Sequence, residues 1–463
     1  MLRFFTHTKS VKTAETGLPT PTKHDLWCLP LGGVGEIGQN MMIYGHAGHY
    51  LMVDCGMGFE PVKGSSTQFE RVVADPSSLA PQLSRLQAIV ITHGHEDHIG
   101  GLLTLWPTLQ VPIYASSFAM AQIQRKFAES EQNLNPTFIT IEPLQTIAIG
   151  AFGVKWIPIT HSIPQSHSLL ISTELGAILH TADWKIDPQP LVDKAFSFAP
   201  FSQLKNLLAV VGDSTNALKP GKTPSESACY AGLLHCVQQQ PNRVVVSCFS
   251  SNIARLITLA RVAKASGRYF AFAGRALERM VSIAKQLNYW PAELKPISLN
   301  EIGYLPRHEV MLITTGSQGE PRSGLWRLAR GQHPSCELDA EDTVIFSAIK
   351  IPDNIARIDQ LIGALQRYQL TIIHAQDHPA LSLHVSGHPS QEDLIALYQQ
   401  LKPPLLIPVH GEPEHLQAHA DLVMRHRLAK EVLLGENGDL FRIKPFVKLE
   451  RQKVKTGHLY IED

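Results

Sequence analysis

Four potential metal ligands, His93, His95, Asp97 and His98, fall within the six residues His93-Gly94-His95-Glu96-Asp97-His98. Imidazole is the commonest protein ligand for first-row metals. Rings packed this closely without a metal would be costly to bury and would repel one another when protonated. The chain has 22 histidines, so a coincidental cluster is the competing reading. It is disfavoured because the motif follows the buried-strand run Ala88-Ile89-Val90-Ile91-Thr92, where a turn can aim several side chains at one point. One such motif fills only part of two metal shells. The other ligands are therefore expected at later strand ends: Thr160-His161-Ser162, His180-Thr181-Ala182-Asp183 and Pro408-Val409-His410-Gly411-Glu412. Histidine donors favour zinc and related ions, and a carboxylate can bridge two of them. His180, Glu96 and Asp187 are expected in supporting or surface positions.

The elements that must position these groups are those of an α/β protein. Leu31-Gly32-Gly33-Val34-Gly35-Glu36-Ile37-Gly38 contains the GxGxxG spacing of dinucleotide sites, which should open a helix. Here it precedes two short apolar runs, Asn40–Tyr44 and Tyr50–Asp54, separated by a glycine turn. That is a β-hairpin, and the dinucleotide reading falls. Strands at 112–114, 154–159, 169–171, 177–181 and 207–211 then alternate with turns and a helix at 118–127. From about residue 217 the character changes. Apolar residues at Ile253, Leu256, Ile257 and Ala260, and at Leu277, Met280, Val281 and Ala284, mark two amphipathic helices. Strands at 244–246, 310–314 and 343–347 and a helix near 355–368 complete a second α/β unit. Strands at 405–409 and 431–434 indicate a return to the first. Residues 1–25 lack hydrophobic periodicity and read as a flexible arm.

Composition bounds the function. With 44% hydrophobic and 18% charged residues, the 463-residue chain can build two or three domains. Lys plus Arg and Asp plus Glu are both 41, which argues against a uniformly basic nucleic-acid coat but not against a local patch. Across 217–382 there are 18 basic and 13 acidic residues, and within 243–285 there are 8 and 1. Arg243, Arg255, Arg261, Lys264, Arg268, Arg275, Arg279 and Lys285 are thus a candidate phosphate-tracking surface. The six scattered cysteines form no CxxC and no disulfide-like pattern, as expected of reduced thiols in a cytoplasmic protein. No apolar run reaches membrane-spanning length.

In combination these motifs resemble a known family. Val53-Asp54-Cys55-Gly56, the HGHEDH motif, His161, Asp183 and His410 resemble the five motifs of the metallo-β-lactamase fold, and the middle segment resembles its β-CASP insert. LGGVGEIGQN (31–40), THSIPQS (160–166), HTADWKID (180–187), GDSTNA (212–217), PGKTPSES (220–227), TTGSQGEP (314–321), VSGHPSQEDL (385–394) and IPVHGE (407–412) resemble ribonuclease J. The resemblance implies an αββα metallo-β-lactamase sandwich over 26–216 and 383–463, with an inserted α/β β-CASP domain at 217–382. It implies two divalent ions, zinc foremost with manganese or magnesium as alternatives. His93, His95 and His161 resemble the ligands of one ion, Asp97, His98 and His410 those of the other, and Asp183 the bridge. Asp54 resembles the acid that supports the motif loop, and Asp213 the insert family's first acidic motif. Asp97, Asp183 and His388 would serve catalysis, His388 beside the scissile phosphate. Ser251, Asn252, Ser386 and Gly387 are candidate phosphate donors.

The implied activity is hydrolysis of RNA phosphodiesters in RNA processing and decay, 5′→3′ exonucleolytic with an endonucleolytic component. The implied partner is RNA bearing a 5′-monophosphate, with a homodimer as the expected assembly. A DNA nuclease, a small-molecule hydrolase and a non-catalytic RNA-binding subunit are the alternatives. The insert and His388 weigh against a compact substrate, and His410 against DNA. Gln165, His167 and Ala182 depart from the family pattern near the metal ligands. Gly457–Ile461 resembles the linker that leads into a further C-terminal domain in longer members, which is expected to be absent here.

Overall fold

In the computed structural model the described residues are 17–62, 69–351 and 354–461. Two mixed sheets face each other. The first runs in the order Lys448–Glu450, Leu440–Lys444, Leu26–Gly32, Met41–His46, His49–Val53, Leu86–Val90, Ile113–Ala115, Phe138–Thr140. The second runs Glu431–Val432, Leu405–Val409, Leu207–Asp213, Gly176–His180, His167–Thr173, Phe152–Pro158, Thr146–Ile149. Strand alternation decides which side chain goes where. Leu26 and Cys28 enter the inter-sheet core with Tyr44, Val53, Val90, Trp156, Ile171 and Val211. Trp27, Leu29 and Leu31 point the other way, into a layer with Leu102, Leu105, Ile123 and Phe127 of the helices Leu102–Leu109 and Ser117–Ala128. On the far face, Leu179, Val210 and Leu406 pack against Leu394, Leu397 and Val423 of Gln391–Leu401 and Pro413–Arg425. This is the αββα sandwich. The hairpin expected at 40–54 is present, and its turn residues Ala47 (φ 47°) and Gly48 (φ 83°) both take the positive φ that a two-residue type I′ turn needs.

The insert has a five-stranded, all-parallel sheet: Tyr269–Ala273, Val310–Thr314, Val244–Ser247, Thr343–Phe346, Thr371–His374. Parallel strands need both faces covered. Cys229–Gln238, Ile253–Ala265 and Arg275–Gln286 cover one, Gly324–Ala329 and Ile355–Gln366 the other. The chain leaves the second sheet of the sandwich after Leu207–Asp213 and rejoins that sheet as Leu405–Val409, its parallel neighbour.

Two expectations change. Residues 1–16 of the expected arm lie outside the described residues, but the arm's last part is docked: Leu18 is buried and its N–H donates to Ser78 O at 3.1 Å. An isolated apolar residue gives no periodic signal, yet it can still fill a gap in a core. The segment read as a linker also belongs to the body. His458–Tyr460 pairs antiparallel with Phe69–Ala74 in a three-stranded sheet completed by Met57–Pro61.

Candidate metal centre

The HGHEDH turn follows Leu86–Val90, and His161, Asp183 and His410 follow the ends of Phe152–Pro158, Gly176–His180 and Leu405–Val409. All converge. His95 Nδ1 lies 3.1 Å from His93 Nε2 and 3.0 Å from His161 Nε2. Asp183 Oδ2 is 3.7 Å from His93 Nε2 and 3.8 Å from His161 Nε2, and on the other side 3.2 Å from His98 Nε2 and 3.5 Å from His410 Nε2. Asp97 Oδ2 is 3.5 Å from His98 Nε2 and 3.3 Å from His410 Nε2. The donors therefore form two sets that share Asp183: His93, His95, His161, Asp183 and Asp97, His98, Asp183, His410.

In His93, His98, His161 and His410 the ring nitrogen away from these sets is committed elsewhere, which fixes the tautomer. His98 Nδ1 donates to Asp54 Oδ2 at 2.7 Å, and His161 Nδ1 to Gly387 O at 2.7 Å. His410 Nδ1 meets Thr215 Oγ1 at 2.7 Å. His93 Nδ1 donates to Thr92 Oγ1 at 3.0 Å, which passes its proton to Asp54 Oδ2 at 2.8 Å. Each arrangement leaves a lone pair aimed inward, the usual outer support of a metal-binding histidine. Asp54 also accepts from Thr92 N at 2.8 Å.

The charge balance asks for cations. Burial alone would raise the acids' pKa values, but the facing histidines hold Asp97 and Asp183 well below the usual carboxylate range. Burial likewise disfavours a charged His98 or His410. Asp183 outweighs it in both, helped at His98 by Asp97 and Asp54, so His98 is driven well up and His410 to about 9. Burial and neighbouring imidazoles push His93 and His161 well down, and burial takes His95 to about 4. One half of the cluster attracts positive charge and the other offers neutral lone pairs. Asp183 Oδ1 is buried without a hydrogen-bond partner. A buried carboxylate oxygen without a donor is expensive, and a divalent ion would satisfy it. The donor set thus fits divalent metal binding.

His388 stands at the rim. Its Nδ1 donates to Asp213 Oδ2 at 2.9 Å, and its ring centroid lies 5.1 Å from that of His161. Ser386 Oγ accepts from Asn216 Nδ2 at 2.8 Å and from His388 N at 3.2 Å, so its own proton stays free. A Cβ on Gly387 would come within 2.6 Å of the His161 ring. That close approach is why glycine suits the position whose carbonyl orients His161. The other two expected phosphate donors, Ser251 and Asn252, stand immediately before the helix Ile253–Ala265. Asn252 Oδ1 caps Ile253–Ala265 by accepting from Arg255 N at 2.9 Å, and neither it nor Ser251 hydrogen-bonds to any residue of the centre. A polar residue before an apolar helix is an N-cap signal, and the cap here uses the side-chain oxygen of Asn252.

The residues left ambiguous now have places. His180 Nδ1 meets Tyr44 Oη at 2.9 Å, Glu96 pairs with Lys126 at the surface, and Asp187 Oδ2 accepts from Glu226 N at 3.0 Å. Gln165 Oε1 accepts from Ser117 Oγ and Phe118 N at 2.9 and 2.8 Å, tying the loop after His161 to the start of a helix. His167 is buried, and that burial lowers its pKa to about 4. Asn40 and Gly56 are the residues that reading by type missed. Asn40 Nδ2 donates to Asp97 O at 3.0 Å and sits 3.2 Å from His98 Nε2. A Cβ at Gly56 would lie 1.7 Å from Asp97 O. Both sit inside quoted motifs, and that was the available signal.

The basic stretch is not one surface. Arg243 is held by Asp342 Oδ2 at 2.6 Å and Glu337 O at 2.7 Å, and Arg255 by Glu226 Oε1 and Ser347 Oγ at 2.6 Å each. Arg268 reaches Gln240 O and Asn242 O at 2.6 and 2.7 Å. All three are buried braces, so the expected phosphate track loses them. Arg261, Lys264, Arg275, Arg279 and Lys285 are exposed, with Arg279 paired to Glu129 at 2.8 Å.

Among known proteins, three family models match: the metallo-beta-lactamase superfamily over 34–240, the beta-CASP domain of ribonuclease J over 241–365, and the RNA specificity domain of Zn-dependent metallo-hydrolases over 382–434. A ribonuclease J of Sinorhizobium meliloti is 39% identical over 456 residues, 97% of this chain and 80% of that one. One from Helicobacter pylori is 34% identical over 440 residues, 94% of this chain and 63% of that one. Ribonuclease J2 of Bacillus subtilis is 33% identical over 433 residues, covering 93% and 76%. A crystal structure of an Enterococcus faecalis protein of unknown function shares the fold, with a TM-score of 0.62 at 16% identity over 90% of this chain and all of that one. No helix of the described residues is long and apolar enough to cross a membrane.

Proposed function

This chain belongs to the ribonuclease J family, which makes it a ribonuclease, and on that premise we propose that it degrades RNA from a 5′-monophosphorylated end using two divalent ions. His93, His95, His161 and Asp183 would hold one ion and Asp97, His98, Asp183 and His410 the other, with zinc favoured by the imidazole-rich set. The bound ions would supply an activated water and charge neutralisation at the phosphate. The protein's own groups do the rest. Asp183 draws the two ligand sets together, and Asp54 holds His98 and, through Thr92, His93 in the tautomers that present lone pairs. His388, with Nδ1 committed to Asp213, has Nε2 left to donate a proton to the departing 3′ oxygen. Ser386 retains a hydroxyl proton to offer a phosphate oxygen.

The observation that carries this reading is Asp183 Oδ2 lying within 4 Å of histidine nitrogens from both sets. The test is timed digestion of 5′-monophosphate, 5′-triphosphate and circular RNAs with zinc, manganese and magnesium varied. The monophosphate substrate is expected to shorten fastest, and His95→Ala to abolish turnover. Cleavage of circles would reveal an endonucleolytic component. Unimpaired turnover by His95→Ala would sink the assigned metal role.

A further inference from the structure

A cavity of about 460 Å³ lies away from the metal centre, at the seam between the insert and the sandwich. Its walls come from three parts of the insert, with Leu191 from the sandwich completing them. Thr258, Arg261 and Lys264 follow one another at three-residue intervals along Ile253–Ala265, and so share a helix face. Tyr230 comes from the neighbouring Cys229–Gln238, and Glu293 from the loop after Arg275–Gln286. We propose that this cavity is a second ligand site, one that takes a nucleoside 5′-monophosphate.

Each wall selects part of that ligand. Arg261 and Lys264 are exposed, and neither side chain makes an ion pair or hydrogen bond among the described residues. Two free cations one helical turn apart suit a phosphate better than a single carboxylate. Tyr230 is 36% exposed, leaving part of its ring available for a base to stack on. Glu293 is a carboxylate beside two cations that it does not neutralise. In a site for a bare polyanion it would be a liability, but it can accept from ribose hydroxyls or a base amino group. Thr258 belongs to the lining, is 1% exposed, and its buried Oγ1 has no hydrogen-bond partner, which leaves a polar group uncommitted in this wall. The volume falls within the range of small-molecule sites.

The seam is braced on both sides of Leu191. Asp187 accepts from Glu226 N, and Asp193 Oδ1 accepts from Tyr289 Oη at 2.7 Å. A bound nucleotide would therefore touch both domains along a segment that begins four residues after Asp183. Neither the cavity nor its contents is needed for the ribonuclease reading, and binding can be tested without RNA cleavage.

The test is photolabelling of the full chain with 8-azidoadenosine 5′-monophosphate, followed by mass mapping of the adducts. Labelling is expected on peptides covering 226–238 or 254–265, and to fall about tenfold or more in the Arg261→Glu/Lys264→Glu double variant, where attraction becomes repulsion. Both positions are solvent-facing, so the thermal melt of that variant should match the parent's. Thr258→Val should also weaken labelling. Protection by unlabelled adenosine monophosphate identifies the free nucleotide as the source, and protection by a short 5′-hydroxyl RNA instead identifies a strand carrying the same unit. Equal protection by inorganic phosphate alone, labelling confined to the metal centre, or full labelling of the double variant would each overturn the assignment.

Discussion

Replacing Asp54 by asparagine preserves its shape and removes one acceptor where three are needed. Oδ1 takes the Thr92 N–H at 2.8 Å, while Oδ2 takes both the Thr92 hydroxyl at 2.8 Å and His98 Nδ1–H at 2.7 Å. An amide that keeps the first bond turns its NH₂ toward His98 Nδ1–H, donor against donor. His98 can relieve the clash by moving its proton to Nε2, which takes away the lone pair aimed at Asp183 and Asp97. Losing such an outer partner typically costs about 10–100-fold in metal affinity, or about 1.4–2.7 kcal/mol. The loss should fall on the ion held by Asp97, His98 and His410 more than on its neighbour, since His93 is reached only through Thr92. The assay is ion-by-ion extraction with a competing chelator, read as metal retained per chain. One ion should leave Asp54→Asn at a chelator concentration about 10–100-fold below that needed for the parent, with the second retained longer. The melt of the metal-free protein provides the control, because a buried unsatisfied donor costs about 1–3 kcal/mol by itself. A lowered metal-free melt with unchanged retention of both ions would refute the tautomer argument and leave Asp54 as scaffold only.

Arg255→Met should destabilise the chain by about 3–5 kcal/mol in urea titrations by stranding Glu226, and Arg255→Met/Glu226→Gln should recover part of that loss. A stable single variant with weakened RNA binding would instead return Arg255 to the phosphate surface. His458 sits between Glu36 and Glu60; burial opposes its charge, but the two carboxylates prevail and raise its pKa to about 10. A raised folded-state pKa contributes stability that is full below the unfolded value of about 6.5 and is lost as pH rises through the folded one. Parent and His458→Gln should therefore differ most near pH 6 and converge toward pH 10; a gap that widened with pH would reverse the sign and exclude the ion pair. Ala182 holds φ at 52°, where a Cβ costs about 1–2 kcal/mol, against about 0.4–1 kcal/mol of extra chain entropy for glycine. Ala182→Gly should thus raise the urea midpoint modestly, and a lowered midpoint would show that the alanine methyl earns its place by packing.

How much of this was legible in the sequence follows from how far each relation reaches along the chain. The HGHEDH turn was readable because its ligands are consecutive and follow a strand, so local geometry alone gathers them. His161, Asp183 and His410 were readable as strand-end candidates, but motif resemblance was needed to choose Asp183 over His180. Strand alternation cannot make that choice. His180 is the last strand residue and turns to Tyr44, while Ala182 in the left-handed region resets the direction of the next side chain. The same break recurs at Asp54 (φ 60°) and His410 (φ 55°). None of the three is glycine, so each bears a backbone cost that residue type gives no hint of, as functional sites tend to. Arg255 failed for the opposite reason. The stripe Ile253, Leu256, Ile257, Ala260 suggests a helix with one wet face, on which an arginine would be solvated. Instead every residue from Ile253 to Ala260 is buried, because Cys229–Gln238 and the loop at Leu383 close over the other side. A charge count along a segment therefore overstates the phosphate surface wherever a second layer covers the helix. In Ile253–Ala265 the cover ends at Arg261, and the free cations that remain are those facing the cavity at the domain seam.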